Sequence, residues 1–370
     1  MGFYVVTTGN MPGLPGHRHA DEYIPEDYSD KEAVLRLVKD SGIEGIVSCA
    51  NDFGVLTSSY VAERMGWAGH DTYEHAVLMH HKDRFRQYCR EKGIPCPQSR
   101  CFTGREHALE YCRRAGYPVI VKANDLTGGK GIMKAENIRQ AEEAVGRAFE
   151  MSRDKHVLVE SFLTGVQQSI VVFLVNRKIV MTSSSNIYCM RNPYLVQAET
   201  YPAENFGDVR DELCGIITRM AQDLQLADGI FSFQYMVCGG RPYIIEMMRR
   251  CFGNETLLLA DVMTGFPWEE AYIRASLGMD CSRLAVSEPE AEYCGHFGIM
   301  AERNGILKSV SIDPSIEHRL FKKTVNIVPG ERIENYMNEK ISHIYFTYDN
   351  LDEMNEEIIH YNEMIKVEMY

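Results

Sequence analysis

The sequence predicts an α/β region followed by a longer α+β region, and three observations carry that prediction. Residues 1–80 alternate short apolar strands with helices, the order expected of a parallel sheet with crossover helices. From Gln98 onward, helices are interleaved with paired strands. Between Gly229 and Asn254 the chain reads as a single hairpin, GIFSFQYMVCGGRPYIIEMMRRCFGN, with polar residues set into apolar strands. A chain of 370 residues is too long for one small core and suggests two or three subdomains.

Composition narrows the function classes. A net charge of −13 argues against a general nucleic-acid binder, whose surface would be basic. No apolar run approaches the roughly 20 residues that a membrane helix needs, and no signal peptide is visible at the N-terminus. The 11 cysteines include no CxxC pair, so they read as reduced thiols of a cytosolic protein and not as a zinc site.

In order, Phe3–Val6 is a short strand, followed by a Gly/Pro-rich loop and a helix over Lys31–Lys39 with Val34, Leu37 and Val38 on one face. Ile43–Cys49 is a strand, Val55–Met65 a helix stopped by Gly66, and His75–Lys92 a helix broken by Gly93-Ile94-Pro95. Helix Glu106–Ala115 precedes the apolar strand Tyr117–Ala123, which ends in Lys122 and Ala123. The loop Thr127-Gly128-Gly129-Lys130-Gly131 can close backbone N–H groups over phosphates, since glycine permits the dihedrals and the close approach. A solvated hairpin tip would look the same. It is not a P-loop, because Gly131 stands where Ser or Thr is required, and no GxGxxG follows a strand.

Helix Glu136–Met151 leads to strand Val157–Glu160, then to strands Ser169–Val175 and Lys178–Thr182 joined at Asn176-Arg177. Residues 183–206 read as irregular. Helix Asp208–Gln225 precedes the hairpin; helices Thr256–Met263 and Glu269–Ser276 follow it. A strand-rich stretch then runs from Tyr293 to about Val328, and Asn350 caps a last helix with Glu353 three residues on.

In the hairpin, Phe231, Phe233, Tyr235 and Val237 alternate with Ser232, Gln234 and Met236. If the connection holds an odd number of residues centred on Gly240, Gln234 lies directly opposite Glu246, with Cβ atoms about 5 Å apart. Arg250 shares that face if the extension continues. A carboxylate in so apolar a strand is costly unless a charge pairs with it. An amide oxygen, a carboxylate and a guanidinium converging on one surface suit a hard cation and a polyphosphate. An ordinary hairpin with one Glu–Arg pair fits the same residues.

Taken together, His81-Lys82-Asp83, Gly93-Ile94-Pro95, Tyr117–Lys122, Gly128–Gly131, Val157–Glu160, Phe231–Gln234, Ile245-Glu246 and Arg250 resemble, in order and spacing, the ATP-grasp superfamily. The likeness is to its carboxylate–amine ligase and carbamoyl-phosphate-synthase-like branch. It implies an ATP-grasp fold with a pre-ATP-grasp α/β domain over 1–80, beginning at what looks like its second strand. A nucleotide-binding domain of two subdomains over 81–290 and a small C-terminal lobe over 291–370 would follow.

The resemblance also assigns roles. Lys82 and Lys122 would contact the nucleotide phosphates, Gly128, Gly129, Lys130 and Gly131 would cover them, and Glu160, Ser161 and Leu163 would form the hinge at the adenine. Gln167 stands where many relatives bind ribose. Gln234 and Glu246 match the positions that hold Mg²⁺ (or Mn²⁺), and Lys122, Glu246 and Arg250 would stabilise the transferring phosphoryl group. Met248 replaces the usual second ligand, and a thioether suits Mg²⁺ poorly. Either one ion suffices, or Asn254 or a substrate oxygen supplies the contact. Arg249 adds charge where proline is usual.

The implied reaction joins a small carboxylate, such as an amino acid, to an amine through an acyl phosphate. Tyr188 and Arg191 are the expected substrate contacts, and a homodimer is the oligomeric state to test. Two other readings stay open: an ATP-binding sensor or scaffold with a decayed ligase site, and a carboxylate phosphotransferase.

Overall fold

The computed structural model describes residues 1–126 and 128–370. Among these, the N-terminal region contains strands β1 (Val6–Thr8) and β2 (Glu22–Ile24) and helices α1 (Lys31–Asp40), α2 (Asp52–Met65), α3 (Tyr73–His80) and α4 (Lys82–Lys92). Its sheet is smaller than the sequence predicts. The parallel pair β1–β2 is its only ladder among the described residues, and the expected strand Ile43–Cys49 makes just one bridge, Cys49 to Cys251. Ile43 and Ile46 still pack against α1 and α2. They satisfy the apolar pattern without a neighbouring strand to complete a ladder.

The helix expected over His75–Lys92 is two helices. His81 is extended (φ −77°, ψ 118°) and separates α3 from α4, so Lys82 opens a helix instead of sitting inside one. Asn124 Oδ1 accepts the Asp83 N–H at 3.0 Å, and so caps the first turn of α4 from the end of a strand in the next subdomain.

That subdomain comprises β3 (Ser99–Phe102), α5 (Arg105–Arg114), β4 (Val119–Ala123), β5 (Ile132–Ala135), α6 (Ile138–Met151) and β6 (Val157–Ser161). Its antiparallel sheet has the order β3-β6-β4-β5. Helices α5 and α6 bury Ala108, Cys112, Ala141, Ala144, Val145 and Ala148 against one face. The small side chains let both helices lie close to the strands.

The next segment holds β7 (Val166–Val175), β8 (Lys178–Tyr188), β9 (Ala198–Tyr201), α7 (Phe206–Asp223), β10 (Gly229–Cys238), β11 (Arg241–Met248), α8 (Thr256–Thr264) and α9 (Trp268–Ser276). The remainder is β12 (Tyr293–Ile299), β13 (Gly305–Ile312), α10 (Pro314–Glu317), β14 (Leu320–Val325), β15 (Arg332–Ile333), β16 (Ser342–Tyr348), α11 (Leu351–Ile358), α12 (Tyr361–Met364) and β17 (Ile365–Met369). Asn350 caps α11 as expected, accepting the Glu353 N–H at 3.0 Å.

Eight of these strands form one antiparallel sheet, β11-β10-β7-β8-β9-β12-β16-β14, so strands from both sides of residue 290 share it. On one face, Ile170, Val172, Phe231, Phe233, Tyr235 and Ile244 pack against α7 and α4. On the other, Val171, Phe173 and Ile230 meet Phe266, Trp268 and Ala271 of the α8–α9 region. The segment 183–206 is far more regular than expected. Ser183–Asn186 continue β8, and Ala198–Tyr201 form β9, leaving only 189–197 between them. The serines and Asn186 look like turn residues in sequence, but cross-strand partners bond them, as in the 2.6 Å contact of Ser169 Oγ with Ser185 Oγ.

Candidate active site

The hairpin β10–β11 sets the centre of the site. Gln234 pairs directly with Glu246, as the sequence predicts, but by a different route. The turn is the two-residue Gly239-Gly240, with φ +58° and +79°, as a tight hairpin of this twist requires. Tyr235 pairs with Ile244 and Gln234 with Glu246, so Ile245 is an extra residue, a β-bulge. Simple alternation would place Glu246 on the face of Ile244, inside the apolar cluster. The bulge moves it to the face of Gln234. Met248, on that same face opposite Ser232, is buried.

Across from this hairpin, the N-terminus of α4 and the end of β4 bring two lysines in. Lys82 Nζ donates to the carbonyl of Leu126 and, at 3.4 Å, to that of Asn124. Burial lowers its pKa and Lys122's charge adds to this, while the carboxylates of Glu246, Asp52 and Glu160 oppose it. Lys82, Lys122 and Glu246 thus share one electrostatic neighbourhood.

Lys122 Nζ lies 2.6 Å from Glu160, and Arg86 Nε lies 2.7 Å from the other Glu160 oxygen. Arg86 also donates to the Ile245 carbonyl at 2.6 Å, which ties α4 to the bulge. Glu160 is 2 % exposed. Burial would raise its pKa, but the two cations win and hold it down at about 2. Its carboxylate is therefore committed to Lys122 and Arg86. Of the other expected hinge groups, the Ser161 N–H bonds the Gln98 carbonyl at 2.8 Å, and Leu163 is half-buried between β6 and β7.

Arg250 is buried, with a forked pair to Asp52: Nε to Oδ1 at 2.6 Å and Nη2 to Oδ2 at 3.1 Å. Asp52 is the first residue of α2, a favourable place for a carboxylate. Burial would raise its pKa, but the Arg250 hydrogen bond and charge lower it. The charge of Glu246 also reaches Arg250. Arg249 does not add charge to this face. It bonds Asp71 at 2.8 Å and the carbonyls of Ile230 and Ala227, both at 2.6 Å, which anchors the α2–α3 connection to the large sheet.

The remaining expected residues divide. Gln167 reaches Gln234, Nε2 to Oε1, at 3.5 Å, beside the Gln234–Glu246 pair. In the glycine loop, Thr127 lies outside the described residues. Gly129 is seated so tightly that a Cβ would run into the Tyr194 carbonyl, and Lys130 is exposed. Tyr188 bonds Thr200 at 3.3 Å and Asn355 at 3.2 Å and packs on the C-terminal core. Arg191 reaches Glu302 at 3.4 Å and lines a groove of about 340 Å³ with Phe297, Met300 and Lys366. The structure does not bring Arg191 together with the hairpin pair. Asn254 is likewise committed: its Nδ2 bonds Glu199 at 3.3 Å and His296 at 3.2 Å, and its Oδ1 accepts from Thr256.

Sequence reasoning missed Asp52, Arg86, Glu199 and His296. Only Arg86 left a local signal: it stands four residues after Lys82, on the same helical face.

The donor set suits a hard cation. An amide oxygen and a half-buried carboxylate face each other across one strand pair, with cationic side chains on the opposing elements. The charges of Lys82, Lys122 and Arg250 lie in the same electrostatic neighbourhood as Glu246, a grouping that suits a phosphate-bearing ligand.

The family described as “Carbamoyl-phosphate synthase L chain, ATP binding domain” matches residues 81–284, more than half of the chain. The carbamoyl phosphate synthase large chain of Xanthomonas axonopodis pv. citri (strain 306) is 26% identical over 304 residues, which is 79% of this chain but 26% of that protein. The chain thus spans about a quarter of the curated relative's length. Among solved structures, the L-amino acid ligase from Bacillus licheniformis superposes with a TM-score of 0.82 at 16% identity, covering 100% of this chain and 93% of that one. Phosphoribosylglycinamide synthetase from Anaerococcus prevotii gives 0.74 at 17% identity, covering 99% and 93%. The biotin carboxylase domain of the Hydrogenobacter thermophilus 2-oxoglutarate carboxylase, a dimer in complex with MgADP, ADP and bicarbonate, gives 0.75 at 16% identity, covering 98% and 85%. At these identities the structural likeness speaks to the fold.

Proposed function

Because this chain belongs to the family of the carbamoyl-phosphate synthase L chain ATP-binding domain, with an ATP-grasp fold, we propose that it is an ATP-dependent carboxylate–amine ligase. In this reading a substrate carboxylate attacks the γ-phosphate of ATP, giving an acyl phosphate and ADP. An amine then attacks the acyl carbon and releases phosphate. Residues 1–80, 81–290 and 291–370 are read as the pre-ATP-grasp domain, the nucleotide-binding domain and a lobe that completes the cleft.

The observation that carries this is the direct pairing of Gln234 with Glu246 within the electrostatic reach of Lys82 and Arg250. Gln234 and Glu246 would hold Mg²⁺, which when bound offsets charge on the phosphates. Lys82 and Lys122 bind phosphate oxygens as compact point charges on flexible stems. Arg250, oriented by Asp52, presents its charge where negative charge develops. The glycine loop 128–131, docked on Tyr194, keeps water from the acyl phosphate.

A nucleotide-binding protein without turnover is the second reading, and buried Met248 favours it by standing beside the pair where a second ligand is usual. The experiment measures ADP and phosphate release from Mg-ATP with pooled amino acids and small carboxylates, beside Glu246→Ala. Acceptor-dependent release of both products, lost in the variant, is expected. ATP binding without any turnover would replace the ligase reading with the second one.

A further inference from the structure

The groove beside Arg191 runs along an open strand edge. In the sheet β15-β13-β17, β17 is an outer strand that pairs with β13 alone. The Asp313 N–H bonds the Met364 carbonyl at 3.0 Å. Bonding across an antiparallel pair alternates from residue to residue. Lys366 and Glu368 therefore turn their backbone groups to β13, while Ile365, Val367 and Met369 turn theirs to the outer edge. No strand among the described residues covers that edge. Four successive residues, Ile365 to Glu368, line the groove. Successive side chains point to opposite faces of a strand, so a hollow bordered by all four follows the edge and not one face.

Phe297 and Ile299 of β12, with Met300 after them, form the apolar wall opposite. Arg191 enters from the 189–197 connection, which buried Gln197 ties down. Gln197 Oε1 accepts the Arg191 backbone N–H at 2.9 Å, and its Nε2 donates to the Gly298 carbonyl at 3.1 Å and to Asn362 Oδ1 at 3.0 Å. Arg191 is thereby fixed to β12 and α12, the elements that flank the groove. A guanidinium carries five N–H donors. Among the described residues that of Arg191 makes one hydrogen bond, from Nη2 to Glu302 at 3.4 Å. Its Nε is covered by protein, so the Nη groups are the ones a ligand meets, on a side chain that is 21 % exposed.

We propose that this groove binds a short extended peptide with a free C-terminal carboxylate. Arg191 takes the carboxylate through its Nη groups. The outward carbonyl of Val367 accepts the peptide's amide N–H, adding the ligand to the sheet edge as a further strand. The apolar wall of Phe297, Ile299 and Met300 receives a side chain. A free amino acid offers the carboxylate but has no amide for the edge.

The groove's own charges fit such a zwitterion. Glu368 is spent on Lys308 at 3.0 Å, while Glu302 and Glu363 stay exposed and can meet the peptide's ammonium group. A volume of about 340 Å³ falls at the low end for small-ligand sites, which suits a dipeptide and not a folded partner. The groove contains none of the residues assigned to the nucleotide or the metal, so this site stands apart from the ligase reading.

The test is isothermal titration calorimetry with L-alanyl-L-leucine and three relatives of it, in the absence of ATP. The C-terminal amide removes the charge that Arg191 meets and should bind about 10-fold more weakly or worse. The dipeptide N-methylated at its amide loses the donor to Val367, and L-leucine lacks the amide, so both should also bind more weakly than the parent. These comparisons use the unaltered protein and do not depend on any variant folding. Arg191→Met should weaken the dipeptide about 10-fold or more and abolish the preference for acid over amide, with thermal unfolding as the check on its fold. Glu246→Ala should bind the dipeptide as the wild type does. No binding by the wild type, equal binding of acid and amide, leucine as tight as the dipeptide, or loss of binding in Glu246→Ala overturns the proposal. The last of these would place the peptide at the hairpin site. None of these outcomes bears on whether ADP is formed, so the ligase reading is judged separately.

Discussion

Gln234 faces Glu246 because Ile245 is an extra residue in its strand. The bulge has a testable cost. Glu246→Ala should abolish ADP formation and leave the melting temperature nearly unchanged, since the side chain is half-buried and lies outside the apolar clusters. Deleting Ile245 leaves Glu246 opposite Gln234 in a regular ladder but removes the carbonyl that accepts from buried Arg86, so it should keep measurable ADP formation while destabilising the fold by about 1–3 kcal/mol. Calorimetry beside an ADP assay distinguishes the two.

Glu160 is buried between Lys122 and Arg86. Glu160→Gln leaves two cations without their counter-ion and should cost about 3–5 kcal/mol in urea unfolding. The pH dependence has a definite sign. The folded pKa, about 2, is below the ordinary value of 4.5, so the stabilisation is present above 4.5 and is lost as pH falls from there toward 2. The Gln variant should lack this acid-sensitive component.

Asp52 and Arg250 join the first helix pair to the end of the hairpin across 198 residues. A double-mutant cycle with Asp52→Asn and Arg250→Met should give a coupling of about 2–3 kcal/mol in stability. Asp52→Asn alone should raise the KM for ATP, because the guanidinium loses its forked anchor. An unchanged KM would mean that Arg250 is positioned without Asp52.

Gly129 and Gly128 provide a paired test of the glycine loop. Both have positive φ, +74° and +64°, so alanine strains the backbone similarly at each. A Cβ at Gly129 collides with the Tyr194 carbonyl, whereas one at Gly128 meets open space. Gly129→Ala should therefore raise phosphate release in the absence of amine, relative to amine-dependent release, by more than Gly128→Ala does. Equal effects would exclude docking on Tyr194 as the seal.

Much of this site was legible locally. Alternating aromatics, a Gly-Gly turn and a carboxylate out of place in an apolar strand identify the hairpin and the facing pair. The lysine that ends β4 and the glycines that follow it are equally local. The segment 183–206 was misjudged because its serines and asparagines resemble turn residues, whereas in the sheet they are bonded across strands. The odd connection expected between the strands is absent; the Gln234–Glu246 pairing expected from it is present because a two-residue turn and a bulge give the same register at that point.

The sequence by itself determined the order of elements, the fold family and the residue types able to meet a polyphosphate and a hard cation, because these depend on spacing within one or two elements. Only the tertiary structure decided how each charge is spent. It commits Glu160 to Lys122 and Arg86, Arg249 to Asp71, Arg250 to Asp52, and Glu199 to His296. Apart from Lys122, those partners are 74 to 198 residues apart along the chain. A charge buried in a cleft must find its counter-ion wherever folding brings one within reach, and local pattern carries no record of that distance.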